Sequence, residues 1–196
     1  MSNQHKIPDK DEINFSPPQT IHMKDFEWQE GWILDIGGGG EGIIGLLKGR
    51  QVVAIDLQKR ELEETTNDAL KIVMDARDLQ FLDNSFQTVT AFFTLMYISW
   101  EDIETIFAEI SRILKPSGKF LIWDVTIQVN PNDKKPYFFL PLTVVLPNGK
   151  KIETVYGVHN RDQNLDDFIK IIGKYGLKLI EQKVNDKIFY IRLKKL

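Results

Sequence analysis

Cysteine is absent from this sequence of 196 residues. Its absence excludes a disulfide framework, a thiolate nucleophile and a cysteine-ligated zinc site, and we predict no bound metal. No apolar run approaches the ~18 residues that a membrane-spanning helix needs. The first eleven residues are too polar for a signal peptide. The sequence therefore predicts a cytoplasmic protein that does not insert into a membrane.

Charge of one sign is also scarce, since the formal net charge is only −3. Broad electrostatic binding to nucleic acid or to an anionic membrane is therefore not expected, and small-molecule or protein substrates are favoured. The length suits one domain. Residues 1–20 form a polar arm in which Pro8 and the Pro17-Pro18 pair disfavour a long helix, and residues 21–196 form the domain.

Apolar strands and amphipathic helices alternate after the arm, which predicts a doubly wound α/β fold with a mainly parallel sheet. The predicted strands are 32–36, 51–56, 71–74, 88–95 and 119–124, and the predicted helices are 43–47, 62–69 and 102–114. The tail adds a helix over 165–175, with Asn164 as N-cap and Gly176 as C-cap, and an antiparallel pair of strands near 179–183 and 188–193.

An insertion follows the fifth predicted strand. Residues 136–158 alternate in hydrophobicity around the turn sequence Pro147-Asn148-Gly149-Lys150, which predicts a β-hairpin. Open α/β sheets bind ligands at the carboxyl ends of their strands. The hairpin is therefore expected either to roof the site of an acceptor substrate or to form an edge ribbon through which two copies pair as a homodimer.

Glycine and acidic residues cluster where the predicted strands end. Gly37, Gly39 and Gly42 have GxGxxG spacing, which lets a ligand approach the backbone. Asp56 ends the second strand, where a carboxylate can accept both hydroxyls of a ribose. Asp35 would repel a pyrophosphate but can hold a cationic ammonium group. Asp75 can accept from an adenine amino group while its neighbour Ala76 leaves room for the ring.

Several segments occur together in one order between Trp32 and Val125. They are Asp35-Ile36-Gly37-Gly38-Gly39, Asp56, Asp75-Ala76, the segment 82–86 and the segment 112–118. This combination resembles the class I S-adenosylmethionine-dependent methyltransferases, in particular the small-molecule type of the UbiE/methyltransferase-11 group. The resemblance implies a seven-stranded Rossmann-like sheet with an antiparallel last strand, and S-adenosylmethionine as the methyl donor.

The resemblance also implies roles for individual residues. Asp35 and the backbone of Gly37, Gly38 and Gly39 would hold the methionine portion. Asp56 would bind the ribose, Leu57 would pack under the adenine, Asp75 and Ala76 would bind the adenine, and Thr94 would line the donor pocket. The segment 93–97, Phe-Thr-Leu-Met-Tyr, lacks the Asp/Asn-Pro-Pro-Tyr pattern of members that act on nucleobases or glutamine amides. A small-molecule acceptor is therefore expected.

Catalytic residues are harder to assign, because methyl transfer depends mainly on positioning and needs a base only where the acceptor must lose a proton. Tyr97, at the end of the fourth strand, and His159, after the hairpin, are the candidates. Two other functions stay open: an NAD(P)-binding oxidoreductase that uses the same glycine pattern, and a non-catalytic module that binds S-adenosylmethionine.

Overall fold

The structure is a computed structural model that describes residues 8–24, 31–129, 132 and 135–196. The strands are β1 (Ile13–Phe15), β2 (Gln19–His22), β3 (Ile33–Ile36), β4 (Val52–Asp56), β5 (Leu70–Val73), β6 (Phe86–Phe92), β7 (Leu114–Val125), β8 (Tyr137–Val145), β9 (Lys151–His159), β10 (Leu177–Asn185) and β11 (Ile188–Lys195). The helices are α1 (Ile43–Lys48), α2 (Lys59–Glu64), α3 (Trp100–Ile113) and α4 (Leu165–Ile172).

A seven-stranded sheet with the order β10-β11-β7-β6-β3-β4-β5 forms the centre of the domain. The strands β7, β6, β3, β4 and β5 run parallel to their neighbours. The strand β11 runs antiparallel to β7, and β10 runs antiparallel to β11. This arrangement confirms the predicted fold, including the antiparallel strands at the end of the sheet.

The sheet is buried on both faces, as expected for parallel strands joined by helical crossovers. All four residues of β3 are buried. On one face, α3 contributes Ile103, Phe107 and Ile110 to a core that also includes Phe168 from α4. Side chains of the hairpin and of α1 cover the opposite face. The carboxyl ends of β3, β4 and β6 are thereby held at fixed positions along one edge of the sheet.

Several element boundaries differ from the prediction. The helix expected over 62–69 is instead α2 and ends at Glu64, because the Thr65 hydroxyl hydrogen-bonds the Leu62 carbonyl (2.5 Å) and the short polar residues that follow compete with helical hydrogen bonds. The strand expected over 88–95 ends at Phe92, since Phe93 adopts a φ of +50°. The tail helix begins as predicted, with the Asn164 side chain accepting from the Asp167 N–H, but α4 ends at Ile172, and a separate 3-10 turn over residues 173–175 is the element that Gly176 caps.

The predicted hairpin is β8 and β9, which pair in antiparallel register from Tyr137↔His159 to Val145↔Lys151. The opposite edge of β8 pairs in parallel with β1 and β2 from the arm. Pro17 and Pro18 lie between these two short strands, which fits the inability of proline to donate in a β-ladder. The described part of the arm therefore covers one edge of the hairpin. Residues 1–7 of the arm lie outside the described part of the chain.

The hairpin is attached to the domain by an apolar face. Phe138, Leu140, Leu142 and Val144 alternate along β8 and are all buried, and they join the same core as Trp123 and Val125 of β7. Met23 and Trp123 are both buried in this core.

In the described ranges, no helix is long and apolar enough to cross a membrane.

Candidate functional site

A cavity of about 820 Å³ opens at the carboxyl ends of the parallel strands. This is the edge where open α/β sheets bind ligands, and the volume is that of a typical small-molecule site. Every residue predicted to bind the donor lines it, as does Tyr97. These residues are Asp35, Gly37, Gly38, Gly39, Asp56, Leu57, Asp75, Ala76, Thr94 and Tyr97.

The glycine loop after β3 has no room for side chains. Gly37 has a φ of +67°, which favours glycine, and a Cβ there would collide with the side chain of Thr94. A Cβ on Gly39 would lie 2.5 Å from the Glu61 Cβ and 2.8 Å from the Asp56 Oδ2. The bare backbone therefore forms part of the cavity wall, and the carboxylates around it lie close to any ligand bound there.

Asp35 lies beneath this loop and is almost fully buried, with 2% of its surface exposed. The Thr90 hydroxyl donates to Asp35 Oδ1 at 2.7 Å, and Oδ2 lies 2.8 Å from the position that a Cβ on Gly38 would take. Burial raises the pKa of Asp35 to about 7, against the opposing effect of the Thr90 hydrogen bond. A cation bound at the loop would stabilise the ionised form.

Asp56 and Leu57 stand at the end of β4. The Gln58 N–H donates to Asp56 Oδ1 at 2.8 Å, which orients the carboxylate, and the other oxygen faces Gly39. Leu57 is 64% exposed although it is apolar. A carboxylate with a free oxygen next to an exposed apolar side chain suits a ligand that has both hydroxyls and a flat apolar surface.

Asp75 belongs to a charged group that the sequence reasoning did not anticipate. The Arg77 guanidinium donates to Asp75 Oδ2 at 2.6 Å and lies 3.4 Å from the Asp102 carboxylate at the start of α3. The hydrogen bonds from Arg77 hold the pKa of Asp75 below its ordinary value. Asp75 therefore stays ionised at the cavity wall and can accept from a further donor.

The loop after β6 is held in place by a buried acid. Asp124 at the end of β7 is fully buried, and its Oδ2 accepts the N–H groups of Leu95 (3.0 Å) and Met96 (3.2 Å). Its Oδ1 accepts from the Gln163 side chain at 2.9 Å. Burial raises the pKa of Asp124 to about 7. Asp124 is absent from the residues that line the cavity. Through these hydrogen bonds it instead fixes the loop that carries Thr94 and Tyr97.

The strand β9 closes the cavity on its open side. The hydroxyls of Thr154 and Tyr156 both donate to the carboxylate of Glu41 in the glycine loop, the latter at 3.1 Å. The ring of Tyr156 also stacks on Phe93, with centroids 5.3 Å apart and an interplanar angle of 20°. The hairpin is therefore connected directly to the loop that would hold the donor.

The two catalytic candidates have different positions. Tyr97 lines the cavity, and its hydroxyl lies near the backbone of Gly157 in β9. Partial desolvation against β9 raises the pKa of Tyr97, so this hydroxyl stays protonated and can donate. His159 is the last residue of β9, is exposed, packs on the ring of Tyr137 (4.8 Å) and is not among the lining residues.

Sequence reasoning missed Glu41, Arg77, Thr154 and Tyr156. The first two had a local signal, because Glu41 interrupts the glycine run and Arg77 lies two residues after Asp75. The other two had none, since Thr154 and Tyr156 are separated from Glu41 by 113 and 115 residues and meet it only in the folded chain.

Comparison with known proteins agrees with this geometry. Residues 34–122 match the family model described as a methyltransferase domain. The sterol 4-C-methyltransferase strm-1 of Caenorhabditis elegans is 29% identical over 117 residues, which are 59% of this chain and 34% of that protein. The ubiquinone/menaquinone biosynthesis C-methyltransferase UbiE of Dinoroseobacter shibae is 29% identical over 133 residues, 61% of this chain and 52% of that protein. The chain thus spans about half or less of these curated relatives.

A solved structure supports the fold over a larger share of the chain. An S-adenosylmethionine-dependent methyltransferase from Methanosarcina mazei superposes with a TM-score of 0.62 at 20% identity, covering 86% of this chain and 94% of that one. At this identity the likeness concerns the fold. Together with the methyltransferase-domain match over residues 34–122, it shows that this chain is similar to S-adenosylmethionine-dependent methyltransferases and distantly similar to the UbiE enzymes.

Proposed function

We propose that this chain transfers a methyl group from S-adenosylmethionine to a small-molecule acceptor. The observation that supports this most strongly is the gathering of Asp35, Asp56 and Asp75 around the glycine loop in one cavity. These acids lie at or near the carboxyl ends of three neighbouring strands, so the parallel sheet brings them to one edge.

The residues present fit the donor. Asp35 and the backbone of Gly37 to Gly39 take the methionine end, where a Cβ would fill the space. Asp56 takes the ribose hydroxyls with its free oxygen, and the exposed side chain of Leu57 packs under the adenine. Asp75 and Ala76 take the edge of the adenine ring. Thr94, whose hydroxyl donates to the Ile36 carbonyl at 2.9 Å, presents the rest of its side chain as a wall.

The bound donor supplies a methyl carbon activated by a sulfonium leaving group. The residues of this chain supply position: the glycine loop, the Asp124-supported loop and β9 enclose the space in which an acceptor must lie. The Tyr97 hydroxyl can donate to an acceptor atom or orient it, and its raised pKa argues against a role as base. Acceleration then comes mainly from holding two reactants at attack distance.

The hairpin is the roof of the acceptor site in this proposal. Thr154, Val155 and Tyr156 line the cavity, whereas the outer edge of β8 is occupied by β1 and β2. These contacts favour the roof over the edge ribbon. Homodimerisation through the hairpin and a cytoplasmic location remain predictions from the sequence.

The experiment uses donor labelled in its methyl group and a cell extract divided by size into small molecules and macromolecules. After chromatography has separated the unreacted donor, label is expected in a second compound of the small-molecule fraction, and a product label that appears only on macromolecules would contradict a small-molecule acceptor. Val155→Trp, which fills the cavity mouth, should abolish labelling while the protein still binds S-adenosylhomocysteine. Val184→Trp is the matched control, because Val184 is similarly exposed on β10 and does not line the cavity.

The non-catalytic module is the second candidate, and one observation favours it: no histidine lines the cavity among the described residues. Label transfer by the wild-type protein would refute it. The nicotinamide alternative is disfavoured, because Asp35 under the glycine loop would repel a pyrophosphate.

A further inference from the structure

The cavity carries a large excess of negative charge. Seven of its lining side chains are carboxylates, and Arg77 is the one cation among the lining residues that the structure describes. Arg77 is already paired with Asp75 and Asp102, and Glu64 is paired with Arg60. In the described part of the chain, Glu41 and Glu61 have no ion pair.

The donor, as placed in the proposed function, accounts for only part of this charge. Its ammonium group lies against Asp35, and its ribose and adenine use Asp56 and Asp75. Glu61 packs behind the loop, where its backbone carbonyl accepts the Gly40 N–H at 2.9 Å. Glu41 differs from these residues because its carboxylate contacts the roof, through the hydroxyls of Thr154 and Tyr156.

Glu41 is held in a defined orientation. Each of its carboxylate oxygens accepts one hydroxyl, from Thr154 and from Tyr156. Each oxygen keeps a further lone pair, and the residue is only partly buried. The phenol oxygen of Tyr156 lies 3.1 Å from Glu41 Oε2, and Tyr97 lines the same cavity. A fixed carboxylate beside aromatic rings suits a cation, because it offers both a charge and electron-rich ring faces.

We propose that Glu41 determines acceptor specificity by binding a positively charged group of the acceptor, such as an amine, between β9 and Tyr97. This inference rests on the proposed function, since the donor must occupy the other acids of the cavity. Anionic acceptors are rejected by the same charge. Glu41 acts in binding, and the chemistry of methyl transfer is unchanged.

The test uses three probes of one shape and different charge: 2-phenylethylamine, 2-phenylethanol and 3-phenylpropanoate. Their dissociation constants are measured by ligand-observed NMR on protein loaded with S-adenosylhomocysteine. The amine should bind at least about tenfold more tightly than the carboxylate. Glu41→Gln should reduce that preference at least about fivefold, because it removes the charge while its amide oxygen accepts from one of the two hydroxyls and its NH₂ group donates to the oxygen of the other, which must reorient.

Glu153→Gln is the matched control, since Glu153 is an exposed acid on the same strand and lies outside the cavity lining. A carboxylate probe that binds as well as the amine, or equal effects of the two variants, would overturn the inference. The inference would also be overturned if Glu41→Gln weakened the binding of S-adenosylmethionine but not that of S-adenosylhomocysteine. Glu41 would then interact with the sulfonium group of the donor. A wild-type protein that binds neither of these two ligands refutes the proposed function itself.

Discussion

Asp56→Asn tests the donor site most directly, because it changes one atom of the carboxylate and leaves the other in place. The Gln58 N–H donates to Oδ1, and an asparagine can keep that bond. The oxygen that faces Gly39 becomes an NH₂ group, which cannot accept from a ribose hydroxyl. A hydrogen bond to a charged group contributes about 1.5–3 kcal/mol. Its loss should raise the Kd of S-adenosylhomocysteine by about 10- to 150-fold.

Isothermal titration calorimetry at constant pH and salt measures this change, and a thermal melt of each variant shows that folding is retained. Asp68→Asn is the control, since Asp68 is exposed and does not line the cavity. The reasoning fails if Asp56→Asn binds the ligand within about twofold of wild type, or if Asp68→Asn loses as much affinity as Asp56→Asn. Either result would show that Asp56 does not hold the ribose.

Affinity for S-adenosylhomocysteine should rise as pH increases from about 5.5 towards 7, because Asp35, with a pKa of about 7, must ionise to attract the ammonium group. Calorimetry at several pH values measures this slope, which Asp35→Asn should flatten, and an equal slope in both proteins would contradict it. Asp124→Ala leaves the N–H groups of Leu95 and Met96 without their acceptor, so it should lower the free energy of unfolding by about 2–4 kcal/mol. An unchanged urea midpoint would refute that role. Asp35 and Asp124 both bind a proton more tightly in the folded state than in the unfolded state. The free energy of unfolding without ligand should therefore fall as pH rises from about 3.8 towards 7. Melting temperatures that increase over this range would contradict this.

The hairpin shows what hydrophobic alternation in a sequence can and cannot predict. The pattern over residues 136–158 predicts two strands and a tight turn, and both are present. The same pattern cannot say what the ribbon covers, because either face of an alternating strand can be the inner one. The packing of Phe138 and Leu140 on the core, and the bonds from Thr154 and Tyr156 to Glu41, decide that the ribbon closes the cavity.

The roles of individual residues are likewise only partly predictable from the sequence. His159 is a plausible base from its type and its place after the hairpin, yet the register of β9 places it on an exposed surface beside Tyr137. Asp124 could be a cap or a substrate contact by its position at a strand end. Only the folded structure, in which the loop after β6 packs on the end of β7, shows that Asp124 accepts the Leu95 and Met96 N–H groups.

The sequence by itself determined the doubly wound sheet and the meeting of three acids beside the glycine loop. Parallel strands bring their carboxyl ends to one edge, so Asp35, Asp56 and Asp75 had to meet beside a glycine loop once the strands were recognised. The tertiary structure alone decided which residues of the hairpin face that loop. There the contacts join Glu41 to residues more than a hundred positions away, and no local pattern encodes which loop a distant hairpin will contact.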